Sequence, residues 1–302
     1  MRLVVTGSSG FLGKALCRKL LEAGHEILGL SRTGGADGIR YPPSMIQLPY
    51  MMGDRLPTDV IAFGPEALVH LAWDGIPDFT EEKCLENVET QIRFLRETKK
   101  LTKLKKIVVA GTCLEYGAKH GVKKETERLP PDSYLSWAKQ TLSEYFALSC
   151  KEREVALVWF RIFYVYGPGQ RAESLIPSLI SALRSNQEPS IKNPSATNDY
   201  IYIDDVVSAF AKAVDVETCT GTFNLGTGRL TSVAEIVGLV ERSIQSSDKF
   251  SSRLVENKCE PTSVSSMWAD ISLLERQIGW MPKVNLAEGI ELSCKATSDK
   301  KV

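Results

Sequence analysis

The sequence predicts an α/β fold built on a parallel sheet with helices on both faces, and three observations support this. Apolar runs alternate with helical patterns through the first half of the chain. The first apolar run breaks directly into glycines spaced three apart, and a helical pattern follows them. After Gly167-Pro168-Gly169 the order of strands and helices becomes irregular. Because strands that alternate with helices are typical of a parallel sheet, we expect such a sheet in the first half, followed by a region of different organisation.

The hydrophobic periodicity places the individual elements. Strands are predicted near 2–6, 26–30, 66–71, 105–110 and 155–161, with helices near 11–23, 81–102 and 136–150. The segment 33–64 contains many prolines and glycines, so only 45–48 is expected to form a short strand there. In the second half, helices are predicted at 173–185, from 204 onward and at 232–245, and strands at 200–203 and 222–225.

Composition and charge exclude several classes of function. The 302 residues include 37 basic and 37 acidic side chains, so the chain offers no excess positive charge for nucleic acid. No apolar run approaches the length of a bilayer span, and the chain enters a strand without a basic leader. Its seven cysteines are scattered without a Cys-x-x-Cys motif, which favours neither a disulfide framework nor a metal site. We expect a cytoplasmic protein that acts on a small molecule, with no membrane partner.

The glycines Gly7, Gly10 and Gly13 lie between the first predicted strand and the first predicted helix. In that context Gly7 permits a tight turn, Gly10 lets a pyrophosphate approach the backbone, and Gly13 lets the helix pack closely on the sheet. Free N–H groups at the start of the helix would face the anion. The motif therefore predicts a dinucleotide site.

The end of the second predicted strand bears on which dinucleotide binds. A protein that binds NAD carries an acidic residue there for the ribose hydroxyls, whereas this chain has Ser31-Arg32-Thr33. A hydroxyl and a guanidinium suit the additional phosphate of NADP. We expect NADP(H) to be preferred, with NAD(H) as the alternative.

Several further motifs occur in an order that resembles the extended short-chain dehydrogenase/reductases, which include nucleotide-sugar epimerases, dehydratases and reductases. The resemblance spans nearly the whole chain and is carried by Val5-Thr6-Gly7-Ser8-Ser9-Gly10-Phe11-Leu12-Gly13, Val69-His70-Leu71-Ala72-Trp73, Asn87, Gly111-Thr112-Cys113-Leu114-Glu115-Tyr116-Gly117, Tyr166-Gly167-Pro168-Gly169, Asp199-Tyr200-Ile201-Tyr202-Ile203-Asp204-Asp205, Phe223-Asn224-Leu225-Gly226 and Gly279-Trp280-Met281-Pro282. It implies a Rossmann-type, doubly wound sheet. Residues 1–166, completed by a strand near 222–226, would form the dinucleotide-binding domain, and 167–302 mainly a smaller substrate domain.

The resemblance also implies which residues contact each ligand. Cofactor contacts are expected from Gly7, Ser9, Gly10, Phe11, Leu12, Gly13, Ser31, Arg32, Leu71, Ala72 and Lys139. Substrate contacts are expected from Trp73, Cys113, Tyr116, Tyr164, Arg171 and Leu175. Among the latter, the planar guanidinium of Arg171 suits a pyrophosphate.

The resemblance assigns catalysis to Thr112, Lys139 and a tyrosine, but the tyrosine is displaced. The family pattern is Tyr-x-x-x-Lys, whereas here Leu135 stands four residues before the lysine and Tyr134 stands five before it. Four residues on a helix leave two side chains about 40° apart and five leave them about 140° apart. Tyr134 would therefore reach Lys139 only if the start of the helix were unwound or bulged, and we favour that arrangement slightly. Otherwise the general acid is lost, or Tyr116, Tyr164 or water replaces it.

Within the family, the motifs look most like those of bacterial reductases of nucleotide-activated 4-keto-6-deoxysugars, such as those that make abequose or fucose donors. We therefore expect an NADPH-dependent 4-ketoreductase, with a 4-epimerase or a dehydratase as alternatives. Dehydration is less favoured because no acidic pair follows Thr112. A dinucleotide-binding protein without turnover is the alternative from another class. We also expect a homodimer joined through the helices of Asn87 and Lys139. The expectation is motivated by the apolar positions of these helices, including Ile92, Leu95, Leu142 and Phe146, for which a place in the core is the equal alternative.

Overall fold

A seven-stranded parallel sheet forms the centre of the computed structural model, which describes residues 1–35, 45–117, 120–128, 130–245, 250–252 and 266–298. Its strands in chain order are β1 Arg2–Thr6, β2 Glu26–Ser31, β3 Met45–Pro49, β4 Ala67–His70, β5 Lys106–Ala110, β7 Ala156–Ile162 and β11 Gly221–Leu225. Across the sheet they lie in the order β11-β7-β5-β4-β1-β2-β3. The predicted α/β class and the parallel sheet are therefore confirmed.

The helices and the remaining strands connect and flank this sheet. The helices are α1 Phe11–Glu22, α2 Thr58–Phe63, α3 Glu81–Glu97, α4 Tyr134–Glu152, α5 Leu175–Arg184, α6 Ile203–Asp215, α7 Val233–Gln245, α8 Ser272–Ile278 and α9 Leu286–Ser298. Short 3-10 helices cover Thr98–Lys100 and Cys113–Tyr116. The short strands β6 Gly121–Lys123, β8 Tyr164–Tyr166, β9 Thr197–Asn198, β10 Tyr200–Tyr202, β12 Thr231–Ser232 and β13 Met267–Ala269 form three separate pairs.

The core lies in two layers, one on each face of the sheet. Successive side chains of a strand point to opposite faces, so Leu3 and Val5 of β1 pack in one layer and Val4 packs in the other. The first layer is closed by α1, α5, α6 and α7, and the second by α3 and α4. Covering both faces explains why the strands are nearly continuous apolar runs.

Most predicted elements lie within two residues of the observed ones, and the differences concern helix ends. The helix expected at 81–102 ends at Glu97, because the chain tightens into a 3-10 turn at Thr98–Lys100. The helix expected from 136 begins two residues earlier, where Ser133 caps it by accepting a hydrogen bond from the N–H of Ser136. The irregular segment contains β3 and also α2, which ends at Gly64 in a left-handed conformation. Residues 36–44 lie outside the described part.

The second half of the chain returns to the first sheet. Strand β11 pairs in parallel with β7, with Phe223 opposite Phe160. The buried carboxylate of Asp205, on α6, accepts hydrogen bonds from the backbone N–H groups of Lys283 and Val284 and so fixes the segment before α9. Among the described residues, none of the helices combines the length and the hydropathy that crossing a bilayer requires.

The side chains proposed to form a dimer interface lie mainly in the core. Leu95, Leu142 and Phe146 are at most 1% exposed, and Ile92 packs against the same layer. The helical period of their positions reflects the faces with which α3 and α4 cover the sheet. Of the two alternatives for these residues, the structure therefore supports the core and not the interface.

Candidate active site

The turn after β1 brings two loops into backbone contact. Gly7 has a left-handed φ of +69°, and its N–H donates to the carbonyl of Leu30 at 2.8 Å. A Cβ atom at Gly7 would lie 3.1 Å from the backbone nitrogen of Ala72, in the loop that follows β4. Glycine is required here both for the turn and for this close approach.

The first turn of α1 has the form of an anion site. Gly10 is the N-cap, and no acidic residue lies in the first turn. The N–H groups of Phe11, Leu12 and Gly13 have no acceptor within the helix because it begins there. A Cβ atom at Gly13 would overlap the carbonyl oxygen of Gly7 and lie 2.8 Å from Cα of Ser8. The loop therefore fits the pyrophosphate of a dinucleotide.

A cleft of about 350 Å³ opens at the carboxyl edge of β1, β2 and β4. It contains every predicted cofactor-binding residue except Lys139, together with Trp73 and Asp74. Its other lining residues are Leu30, Tyr50, Met51, Met52 and Ile76. Apolar walls around a polar backbone loop are typical of a cofactor cleft.

The residues at the end of β2 are engaged with other parts of the protein. The hydroxyl oxygen of Ser31 accepts a hydrogen bond from the N–H of Gly34 at 3.1 Å, and Ser31 is buried. The exposed Arg32 donates to Asp74 at 2.9 Å, forming an ion pair. Lys83 also contacts Asp74, at 3.3 Å.

A buried network supports the backbone beneath the cleft. His70 contacts Gln91 through Nε2 at 3.1 Å and the Thr6 hydroxyl through Nδ1 at 2.8 Å. The same hydroxyl oxygen accepts hydrogen bonds from the N–H groups of Leu71 and Ala72. Burial lowers the pKa of His70 to about 4, so the ring is neutral. His70 therefore acts on the loop structure and carries no charge.

Thr112 begins the 3-10 helix after β5 and is held by a buried carboxylate. Its N–H donates to Oε1 of Glu115 at 2.9 Å, and its hydroxyl oxygen accepts from the N–H of Leu114 at 3.3 Å. Glu115 also accepts hydrogen bonds from Trp159 at 3.0 Å and from Arg161 at 2.9 Å. Because the Thr112 oxygen acts as an acceptor, its hydrogen can be donated to a ligand.

Lys139 lies on α4, below Trp73 and beside the end of β5. Its ammonium donates to the carbonyl of Ala110 at 3.0 Å and lies 4.1 Å from the centre of the Trp73 ring. The residue is 8% exposed, and burial lowers its pKa to about 8, a shift that Glu115 opposes. A lysine with such a pKa exchanges a proton near neutral pH.

Tyr134 lies on the surface and does not reach Lys139. It is the first residue of a regular helix, its side chain is 49% exposed, and its hydroxyl donates to Glu81 at 2.8 Å. Leu135 is 6% exposed and packs in the core with Ala138. The expected distortion of the helix start is absent from α4, so the predicted placement of Tyr134 was wrong. The angular separation on a regular helix is the reason.

Of the predicted substrate residues, Trp73 lines the cofactor cleft, and the other five fall into two groups. Cys113 and Tyr116 are interior, and the Tyr116 hydroxyl donates to Asn224 at 2.7 Å, so neither side chain is presented to a ligand. Tyr164, Arg171 and Leu175 are at least partly exposed. Tyr164 packs against the cluster that contains Cys113, and its ring centre lies 5.7 Å from that of Tyr200.

Two residues that shape the site were not singled out from the sequence. Glu115 could have been found from the pattern Thr-x-x-Glu, which is a capping box and is present at Thr112. Asp74 gave no such signal. Its contact with Arg32 joins loops 42 residues apart in sequence.

Comparisons with known proteins agree with this geometry. Residues 3–226 match the model of the NAD dependent epimerase/dehydratase family. The chain is 25% identical to dTDP-4-dehydro-6-deoxyglucose reductase of Escherichia coli, covering 97% of this chain and 96% of that protein. It is 26% identical to UDP-glucose 4-epimerase of Mycolicibacterium smegmatis, covering 96% of each. The crystal structure of UDP-glucuronic acid 4-epimerase from Bacillus cereus in complex with NAD is similar, with a TM-score of 0.82, 21% identity and 100% of both chains covered.

The protein thus has a Rossmann-type fold with a dinucleotide cleft. The chain belongs to the NAD dependent epimerase/dehydratase family, whose match covers the glycine loop, Thr112 and Lys139. It is accordingly an enzyme of the class that modifies nucleotide sugars.

Proposed function

We propose that the protein is an NADPH-dependent reductase of a nucleotide-activated 4-keto-6-deoxysugar. The observation that carries the proposal is the placement of Thr112 and the low-pKa Lys139 around the end of β5, one strand away from β4 and the cofactor cleft. The similarity to a 4-keto-6-deoxysugar reductase supports the substrate class. Epimerisation is the nearest alternative, because an epimerase has comparable identity.

Reduction of a ketone requires a hydride and a proton. NADPH supplies the hydride when it is bound in the cleft. Thr112 would donate its hydroxyl hydrogen to the sugar carbonyl oxygen and stabilise the negative charge that develops there. In place of a tyrosine, the ammonium of Lys139 would supply the proton, directly or through a water molecule, and would regain it from solvent. The product is an alcohol at the reduced carbon.

The test is oxidation of NADPH with a panel of nucleotide-linked 4-keto-6-deoxysugars. Thr112→Val removes the donated hydrogen and should lower kcat about 10²–10³-fold, as loss of a positioned oxyanion donor does. The control is Thr102→Val, because Thr102 is exposed and precedes β5, whereas Thr112 follows it, so the two residues lie at opposite ends of that strand. Equal turnover in the two variants would count against the assigned role of Thr112.

The preference for NADP(H) is a second part of the proposal. It depends on Arg32, whose charge-assisted contact to the additional phosphate would contribute about 1.5–3 kcal/mol. Arg32→Ala should weaken NADPH about 10–100-fold and leave NADH nearly unchanged. Titration calorimetry with both cofactors measures this. Tighter binding of NADH by the unmodified protein would reverse the assignment.

We also propose which part of the chain binds which ligand. Residues 1–166 would hold the cofactor, and 167–302 would mainly hold the nucleotide sugar. Arg171 is exposed after β8 and suits a diphosphate. Arg171→Ala should raise KM for the nucleotide sugar without changing the affinity for NADPH.

The alternative of a dinucleotide-binding protein without turnover goes against the family match, and one observation speaks for it. The outward position of Tyr134 and the burial of Leu135 favour it, since the usual proton donor is displaced. Such a protein would bind NADPH but oxidise none of the sugars in the panel. Binding and turnover measured on one preparation distinguish the two candidates.

We also retain the homodimer as a proposal, with different interface residues. Helices α3 and α4 pack together and expose Leu85, Trp137 and Leu148, the last 65% exposed. A partner copy on this face would cover apolar surface that is otherwise open to water. Light scattering at micromolar concentration should give the mass of a dimer, and Leu148→Asp should lower it.

A further inference from the structure

Asp74 lies where it can govern the choice between the two cofactors. Strands β2 and β4 lie on either side of β1, so two strand spacings, each about 4.8 Å, separate them. The side chain of Arg32, after β2, crosses this width to reach Asp74, after β4, at 2.9 Å. Both residues line the cleft of the glycine loop. The ion pair therefore spans the edge of β1 at the opening of the dinucleotide site.

The backbone of Asp74 is fixed, so its carboxylate is held in this place. Its N–H donates to Oδ1 of Asn87 at 2.9 Å, and its carbonyl accepts from Nδ2 of Asn87 at 3.0 Å. Asn87 is only 2% exposed. Lys83 contacts Asp74 at 3.3 Å and Glu86 at 2.6 Å, so it divides its charge between two carboxylates.

We propose that Asp74 sets the cofactor preference by competing with the 2′-phosphate of NADP for Arg32. The inference rests on the proposed function, because it assumes that Arg32 contacts this phosphate. A 2′-phosphate would need the guanidinium of Arg32, whose Nη1 already donates to Asp74, and its negative charge is repelled by that carboxylate. The 2′-hydroxyl of NAD has no such requirement, and a nearby carboxylate can accept its hydrogen. Asp74 thus weakens the preference for NADP over NAD that Arg32 provides.

An exposed ion pair is weak and is screened by salt, which limits the expected effect. Asp74→Asn keeps the backbone contacts with Asn87 but removes the charge. It should tighten binding of NADPH and of adenosine 2′,5′-bisphosphate about three- to five-fold, and change NADH less than two-fold. Titration of all three ligands at low ionic strength measures this.

The matched control is Glu89→Gln, which removes an exposed carboxylate of α3 that pairs with Arg93 and not with Lys83 or Arg32. It should leave the ratio of the two cofactor affinities unchanged. In a chain that also carries Arg32→Ala, Asp74→Asn should lose its effect on the ratio, because the competition acts through Arg32. An unchanged ratio in Asp74→Asn, equal tightening of NADPH and NADH, or a full effect without Arg32 would overturn the proposal.

These outcomes are separate from those of the proposed function. If NADPH binds to the unmodified protein and is oxidised by a keto sugar, but Asp74→Asn keeps the same cofactor ratio, only the role of Asp74 fails. If NADPH binds and Asp74→Asn shifts the ratio without turnover, the role of Asp74 holds and the reductase fails. If neither cofactor binds, both fail.

Discussion

The glycine loop leads into α1 on one face of the sheet, whereas α4 lies on the other face, and the two regions follow the family pattern to different degrees. In the loop, a Cβ atom at Gly7 or Gly13 would collide with neighbouring backbone, so the sequence provides what a close phosphate approach needs. At the start of α4, a leucine is buried where the family pattern has a tyrosine, and Tyr134 contacts Glu81 on the surface. The cofactor region thus follows the family more closely than the proton-donating region does.

The difference separates binding from proton transfer. Cofactor binding depends on backbone N–H groups and on the absence of side chains, which few substitutions can supply. A proton can come from any group of suitable pKa within reach. Lys139 has such a pKa, about 8, and adjoins Thr112 through the carbonyl of Ala110. We therefore assign to Lys139 the proton donation for which Tyr134, on the surface, is misplaced.

The largest expected effect is that of Lys139→Met. Removal of the proposed proton donor should lower kcat by about 10²–10⁴-fold, the usual contribution of a positioned acid. The methionine fills similar space under Trp73, so a folded protein is expected. NADPH oxidation with the keto-sugar panel measures kcat, with Lys151→Met on the exposed end of α4 as control. A decrease of less than ten-fold would remove Lys139 from the proton-transfer step.

A smaller effect is expected from Gly13→Ala, which tests the cofactor region alone. The added methyl group overlaps the Gly7 carbonyl, and such overpacking costs about 1–3 kcal/mol. We expect the dissociation constant for NADPH to rise about 10–100-fold. Gly24→Ala is the control, because a Cβ there meets no atom within 4 Å, although its φ of +84° adds some strain. Unchanged affinity for NADPH in Gly13→Ala would contradict the role of the glycine loop in binding the pyrophosphate.

The pH dependence of the turnover number tests whether Lys139 is the proton donor. Lys139 is protonated below its pKa of about 8 and donates a proton only in that form. The turnover number should therefore be level below pH 8 and fall about ten-fold per pH unit above it. Lys139→Arg keeps its charge throughout this range, because the guanidinium stays protonated. A profile of the unmodified protein without a falling limb would argue against a lysine donor.

Much of the fold could be predicted because one local signal repeats along the chain. Apolar runs such as Leu3 to Val5 are buried on both faces of the sheet and therefore continuous, and these mark the strands. The glycine loop was predictable for a similar reason, since strand, turn and helix are contiguous in sequence. The same periodicity could not distinguish a core face from an interface, and so it left the places of Leu142 and Phe146 open between the two.

The candidate site was less predictable because its contacts join distant parts of the chain. The Arg32–Asp74 pair and the bond between Tyr134 and Glu81, 53 residues apart, depend on how the loops meet. Cys113 and Tyr116 lie in the same buried turn as Glu115, whose carboxylate accepts hydrogen bonds from Thr112 and from the distant Arg161. Helix geometry already argued against a contact between Tyr134 and Lys139, and the regular start of α4 agrees with that argument.

The most direct test of the account is the turnover of Tyr134→Phe with NADPH and a keto sugar that the unmodified protein reduces. The phenylalanine removes only the hydroxyl that donates to Glu81. We predict a kcat within two-fold of the unmodified value, because Tyr134 lies on the surface and we assign the proton donation to Lys139. A decrease of about 10² or more, with NADPH affinity intact, would contradict it by showing that the tyrosine acts as the positioned acid.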